Sequence, residues 1–175
     1  MAPLTDIVDL GQLGLKAGGG IRFDAIVPVG EYIFGAQRYE LADDPSPVTI
    51  DVNRTSTGYV IRLRAENSLE GPCMRCYGDF AMPLQIDHSE VHEPHLDEDL
   101  ASEYVAGNDA DIAALLRDAI GLALPTSISS PVDENGICTE CDNSKQQLSH
   151  LADSSSEEEK SAPDPRWAKL RELEL

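Results

Sequence analysis

The chain has 175 residues, 41% of them hydrophobic but only 5% aromatic, and its 32 acidic and 13 basic side chains give a formal net charge of −19. That length suits one domain with additional ends rather than two full domains, and the apolar fraction is enough for an aliphatic core. So negative a charge disfavours electrostatic binding to bare nucleic acid, which needs Lys and Arg to displace counterions, and favours basic proteins as partners. MAPLTDIVDL has neither the basic start nor the apolar run of a secretory signal, and no apolar stretch approaches the ~18 residues of a membrane span. A reducing, cytoplasmic location with no membrane contact is therefore expected, where cysteines serve metal binding or thiol chemistry rather than disulfides.

In chain order, residues 1–19 read as a flexible N-terminal lead. In IRFDAIVPV, Ile21, Phe23, Ala25, Val27 and Val29 share one face of an extended strand, and Pro28 puts that strand at a sheet edge. PVTIDVNRTSTGYVIRLRAE is a hairpin with one buried face: Val48, Ile50 and Val52, a polar turn containing Gly58, then Tyr59, Ile61, Leu63 and Ala65. Phe80, Met82, Leu84 and Ile86 continue the alternation, so GPCMRCYG falls in a turn between two strands. From His88 to Asp111 the chain is acidic without one Lys or Arg. Ile112, Leu115, Leu116, Ala119, Ile120 and Ala123 then recur at helical spacing, with Asn108 or Asp109 as the cap and Pro125 as the stop. The expected architecture is α+β: an antiparallel β-sheet, partly barrel-like, with one covering amphipathic helix and a Cys-x-x-Cys strand turn, over residues 20–145. Residues 146–163 read as an acidic disordered linker, and 164–175, DPRWAKLRELEL, as a short C-terminal amphipathic helix carrying the only Trp.

The four cysteines form two Cys-x-x-Cys pairs, Cys73 with Cys76 and Cys138 with Cys141. Zinc takes four soft ligands in a tetrahedron, and such pairs let two thiolates reach one ion while turn amides bond to the sulfurs. The two pairs would make one closed structural zinc site, with Gly71, Gly78 and Gly136 allowing tight turns. The intervening segment is long for a finger, a modest entropic cost where a sheet and helix already order it. A thiol redox role would want a βαβ context with a pair at a helix N-terminus, which neither has. In the remaining alternative the pairs hold no metal. Glu140 and Asp142 should raise the thiol pKa values of the second pair. His88, His92 and His95 suit scattered surface histidines better than a metalloenzyme, because Pro94 interrupts any helix that would align them. With no catalytic motif in the chain, no enzyme activity is expected.

Four features in order, GPCMRCYGDFAMPLQI, the acidic segment, DIAALLRDAIGLALPTSIS, and GICTEC with the terminal DPRWAKLREL, resemble the YceD family of large ribosomal RNA subunit accumulation proteins. That resemblance implies a non-enzymatic part in the synthesis, processing or stability of 23S rRNA and in large-subunit assembly. Taken with the charge, it implies contact through a ribosomal protein or assembly factor, with indirect or limited rRNA contact. The candidate partner-binding residues are Glu90, Glu93, Asp97, Glu98, Asp99, Glu103 and Trp167. Arg54, Arg62, Arg64 and Arg75 are candidate RNA contacts, weighed against an ordinary solvated strand face without aromatics for base stacking. A zinc-stabilised adaptor unrelated to ribosomes stays open as the alternative.

Overall fold

The computed structural model describes residues 2–93 and 101–141. The described residues form two sheets and one helix, in the order β1 (Ile7–Asp9), β2 (Gly20–Val27), β3 (Tyr32–Phe34), β4 (Gln37–Leu41), β5 (Ser46–Arg54), β6 (Tyr59–Pro72), β7 (Asp79–His92), β8 (Val105–Ala106), β9 (Asp109–Asp111) and α1 (Ile112–Ala123). Every strand pair in both sheets is antiparallel. The expected hairpin is present as β5 and β6, with Ile50 opposite Leu63 and Val52 opposite Ile61, all four buried.

β6 organises the larger sheet. Along one side it pairs first with β5 and then, through Leu69 and Glu70, with β4; along the other it pairs with β7 over the full length of both strands. β2 lies outside β5 as an edge strand, extended only by a bridge from Ile26 to Leu4. The anticipated partial closure does not occur: the order is β2-β5-β6-β4-β3 with β7 on β6, so the sheet stays open. α1 packs against β7 near one edge and β2 near the other, so a helix covers the face that barrel closure would have sealed. Its Ile112, Leu115, Leu116 and Ile120 are buried with Ile61, Leu63 and Leu69. Each such side chain removed from water contributes roughly 1.5–3 kcal/mol before the entropy of ordering it.

Two expectations near the helix are corrected. Its cap is Asp111, the last residue of β9, whose carboxylate accepts the Ala114 amide at 2.8 Å; the strand runs on past Asp109, so the helix starts later than expected. Residues 1–19 are not a loose lead either, since β1 pairs with β9 and Val8 and Leu10 are buried. The Asp6 carbonyl accepts the Ile112 and Ala113 amides at 2.9 and 3.2 Å, so the chain start satisfies donors that a helix end cannot satisfy itself. Arg117 ties α1 to the strands: it donates to the Val29 and Glu31 carbonyls at 2.6 and 2.7 Å and lies over the Tyr32 ring.

Candidate metal centre

The first cysteine pair sits where β6 turns into β7, just beyond the last ladder pair, Pro72 with Asp79. Gly71 is a strand residue rather than a turn residue, and its missing side chain admits the Tyr39 ring, which a Cβ would meet at 2.3 Å. Tyr39 is fully buried, and its hydroxyl donates to the Pro72 carbonyl at 2.9 Å, which holds the strand end in place. The Cys73 amide donates to the Gly78 carbonyl and the Tyr77 amide to the Cys73 carbonyl, at 2.8 and 2.9 Å. To close this knuckle Tyr77 takes a φ of 60°, a left-handed conformation that favours glycine. The Arg75 amide points at the Cys73 sulfur, 3.4 Å away.

The second pair arrives on the loop after α1. Asp133 shapes that loop: its carboxylate accepts the Asn135 and Ile137 amides at 2.9 and 2.8 Å, and Gly136 turns the chain at a φ of 78°. Val132 bridges to Cys138, while the Ser130 hydroxyl accepts the Glu140 amide at 3.0 Å. The loop is fastened to the knuckle by the Met74 amide, which donates to the Ile128 carbonyl at 2.8 Å.

The four sulfurs converge. The Sγ atoms of Cys73, Cys76, Cys138 and Cys141 all lie within 4.8 Å of one another, and the Cys73–Cys138 separation is 3.9 Å. Zinc–sulfur bonds of about 2.3 Å in a tetrahedron place sulfurs about 3.8 Å apart, whereas a disulfide needs about 2.05 Å. The spacing therefore fits a shared ion and not a pair of disulfides. Cys73, Cys138 and Cys141 are buried and Cys76 is partly so, leaving four soft donors around one point with no fifth position for water or substrate.

The thiols are poised differently. Burial raises the Cys73 pKa, but the amides of Cys76, Ser130 and Arg75 and the Cys141 thiol outweigh it and bring the pKa down to about 6. Burial comes first for Cys138 and Cys141 too, but here neighbouring sulfurs add to it and push them up to about 11 and about 12. The second pair is raised as expected, through burial and the other cysteines rather than through Glu140; Asp142 lies outside the described residues.

The remaining candidates fall elsewhere. Arg62 is paired with Asp87 at 2.5 Å, Arg64 shares Asp51 with Arg22, and Arg54 bonds to the Tyr59 hydroxyl and covers its ring, while Arg75 is exposed on the knuckle. The Asp51 carboxyl, bonded first by Arg22, is held below its ordinary range. Glu90 is partly buried 3.7 Å from His88, Glu93 accepts from the Thr57 hydroxyl at 3.1 Å, and Glu103 is exposed. His92 is not a surface histidine: it is buried, and its Nδ1 accepts the Ser102 amide at 3.2 Å. Asp97, Glu98, Asp99, His95 and Trp167, the linker 146–163 and the helix 164–175 lie outside the described residues.

Sequence reasoning missed one cluster. Tyr104 donates to Asp118 of α1 at 2.8 Å, and its pKa is pushed up to about 12, first by that bond, then by burial and the charges of Asp118, Glu103 and Glu90. Three carboxylates from β7, a loop and α1 thus share one neighbourhood around a tyrosine. Asp118 was legible only as a polar residue on a helix, because nothing in the spacing brings it near Glu90.

Among the described residues, an open antiparallel sheet under one helix carries a cluster of four cysteine sulfurs that could hold a metal ion. The chain is a member of the YceD family, described as the large ribosomal RNA subunit accumulation protein, whose profile matches residues 61–174. That stretch takes in both cysteine pairs and α1. No curated protein and no solved structure matches the chain. Among the described residues no helix is long and apolar enough to cross a membrane.

Proposed function

We propose that this protein is a non-enzymatic factor in large-subunit assembly that supports 23S rRNA synthesis, processing or stability through protein contacts, and that Cys73, Cys76, Cys138 and Cys141 hold one structural zinc ion. The family match over residues 61–174 carries the reading. The zinc, with no open coordination position, would tie the loop 128–141 to the β6–β7 turn and leave reaction chemistry to other molecules.

The charge distribution favours a protein partner. Arg22, Arg62 and Arg64 already face Asp51 and Asp87 across the sheet, so binding a phosphate there would cost them existing partners. The carboxylates around Tyr104 are better suited to a basic protein segment, and a chain at −19 steers such partners toward itself at low salt. Acidic residues 97–99 would extend that contact.

The test is co-sedimentation with precursor large-subunit particles in a strain lacking the native protein. The wild type should restore 23S rRNA levels and co-sediment in a salt-sensitive way, and Glu90→Gln with Glu103→Gln should weaken both. Unchanged co-sedimentation of that double variant, together with rRNA crosslinks to Arg62 or Arg64, would overturn the protein-contact reading. Normal 23S rRNA levels without the protein would overturn the ribosomal one and favour the adaptor alternative.

A further inference from the structure

Where the end of α1 meets the β3–β4 hairpin and the first cysteine knuckle, the surface is apolar and concave. One hollow of about 240 Å³ is lined by Phe34, Met74, Gly121, Leu124 and Ile128 among others. A second, of about 530 Å³, shares Phe34 and Gly121 with it and is rimmed by Ile33 and Leu122. Those two rim residues are 61% and 78% exposed, Leu122 being the most exposed large apolar side chain among the described residues. Isolated exposed apolar residues need no explanation, but two flanking one continuous groove suggest that something covers it.

The position of the chain end indicates what that is. The described structure stops at Cys141, whose sulfur lies within 4.8 Å of the Cys73 sulfur, and Met74, the next residue, lines the groove. Residues 142–175 therefore start beside it. Trp167, Leu170 and Leu173 recur at every third position in the last twelve of them, beside Arg166, Lys169 and Arg171. The 25 residues from 142 to 166 (166 − 142 + 1) are mostly polar. A coil of that composition spans roughly 25–30 Å, ample to return to a groove at its own root. Tethering also gives such a segment an effective concentration on the order of millimolar. The bases Arg166, Lys169 and Arg171 have local acceptors there, since the last turn of α1 holds no basic residue to offset its carbonyl end and Asp118 lies in the groove, although Asp164, Glu172 and Glu174 balance them over the segment as a whole.

We propose that residues 164–175 dock into this groove of their own chain, with Trp167 as the buried anchor. The assignment does not depend on a ribosomal role and holds or fails separately from it.

Trp167 is the only tryptophan, so its fluorescence reports on this segment alone. In the purified full-length protein its emission should be blue-shifted and quenched by acrylamide several-fold less than a free tryptophan amide, at every protein concentration. Leu122→Asp alters a residue 78% exposed, so its melting temperature should be that of the wild type while emission moves red and quenching rises to the free level. Ile33→Asp, on the opposite rim, should do the same. A freely quenched Trp167 in the wild type would overturn the proposal. Protection that disappears on dilution would overturn it in favour of a second copy, and protection that survives both substitutions would place Trp167 elsewhere.

Discussion

The two cysteine pairs have the same spacing but are built in different ways. Cys73 and Cys76 sit on the end of a hairpin with two fourteen-residue strands, whose pairing and buried Tyr39 fix the backbone independently of the sulfurs. Cys138 and Cys141 sit on a loop held by Asp133, Ser130 and a single bridge. In the first, Cys73 is aimed by amides and holds a thiolate readily; in the second, Cys138 and Cys141 are buried among other sulfurs and keep their protons. An identical motif can thus be a prepared half-site in one place and a dependent half-site in another, the surrounding backbone making the difference.

Removing the metal should expose that asymmetry most strongly. In the zinc-loaded protein, chelation or Cys138→Ser should abolish bound zinc in elemental analysis and speed hydrogen exchange at Thr139 and Glu140, while β5 and β6 stay protected. Equal loosening of both halves would show that the knuckle is not preformed. A wild type purified without zinc would show that the cluster is no clamp at all.

A smaller effect is expected from pH in the metal-free protein. Cys73 is depressed from the ordinary 9.0 to about 6, so the stability it adds is full above 9, and is lost as pH falls toward 6. Cys138 and Cys141 are raised, so what they add is full below 9 and lost as pH rises toward 11 and 12. Thermal melting of the metal-free form should therefore peak near pH 9, and the Cys73→Ala variant should lack the rise on the acid side. A wild-type profile flat from pH 6 to 9 would contradict the prepared half-site.

The smallest effect concerns Tyr77, which is 72% exposed while its backbone is left-handed. Tyr77→Gly should relieve that conformation with little packing loss and stabilise the protein by about 0.5–1 kcal/mol in denaturant unfolding. Destabilisation would mean that the tyrosine side chain itself supports the knuckle.

Much of this was legible in the chain because strict alternation and helical periodicity are local signals. They located β5, β6, β7 and α1 and set the first cysteine pair in a turn. What they could not reach is long-range or too short to have a period. IVD is three residues long, too short to read as a strand without its partner β9. The convergence of Cys138 on Cys73 across 65 positions was legible only through the repeated Cys-x-x-Cys motif, and it rests on loop contacts such as Met74 with Ile128. The cap was misplaced because Asn108, Asp109 and Asp111 are similar as sequence, and only the point where β9 ends distinguishes them. Sheet closure was misjudged because alternation reports which face is buried and not what buries it.

The Asp6 carbonyl at the start of α1 bears on where this protein can be cut. The family match begins at Ile61, inside β6, yet β6 relies on β4 and β5 along one side, and the helix relies on a residue 55 positions before that boundary (61 − 6). A chain begun at Ile61 would leave most of one long strand edge unpaired and two helix amides without acceptors. Kinship here is recorded in one stretch of polypeptide, while the unit that folds reaches back to the first few residues, and any trimming, tagging or domain transfer has to respect the larger of the two.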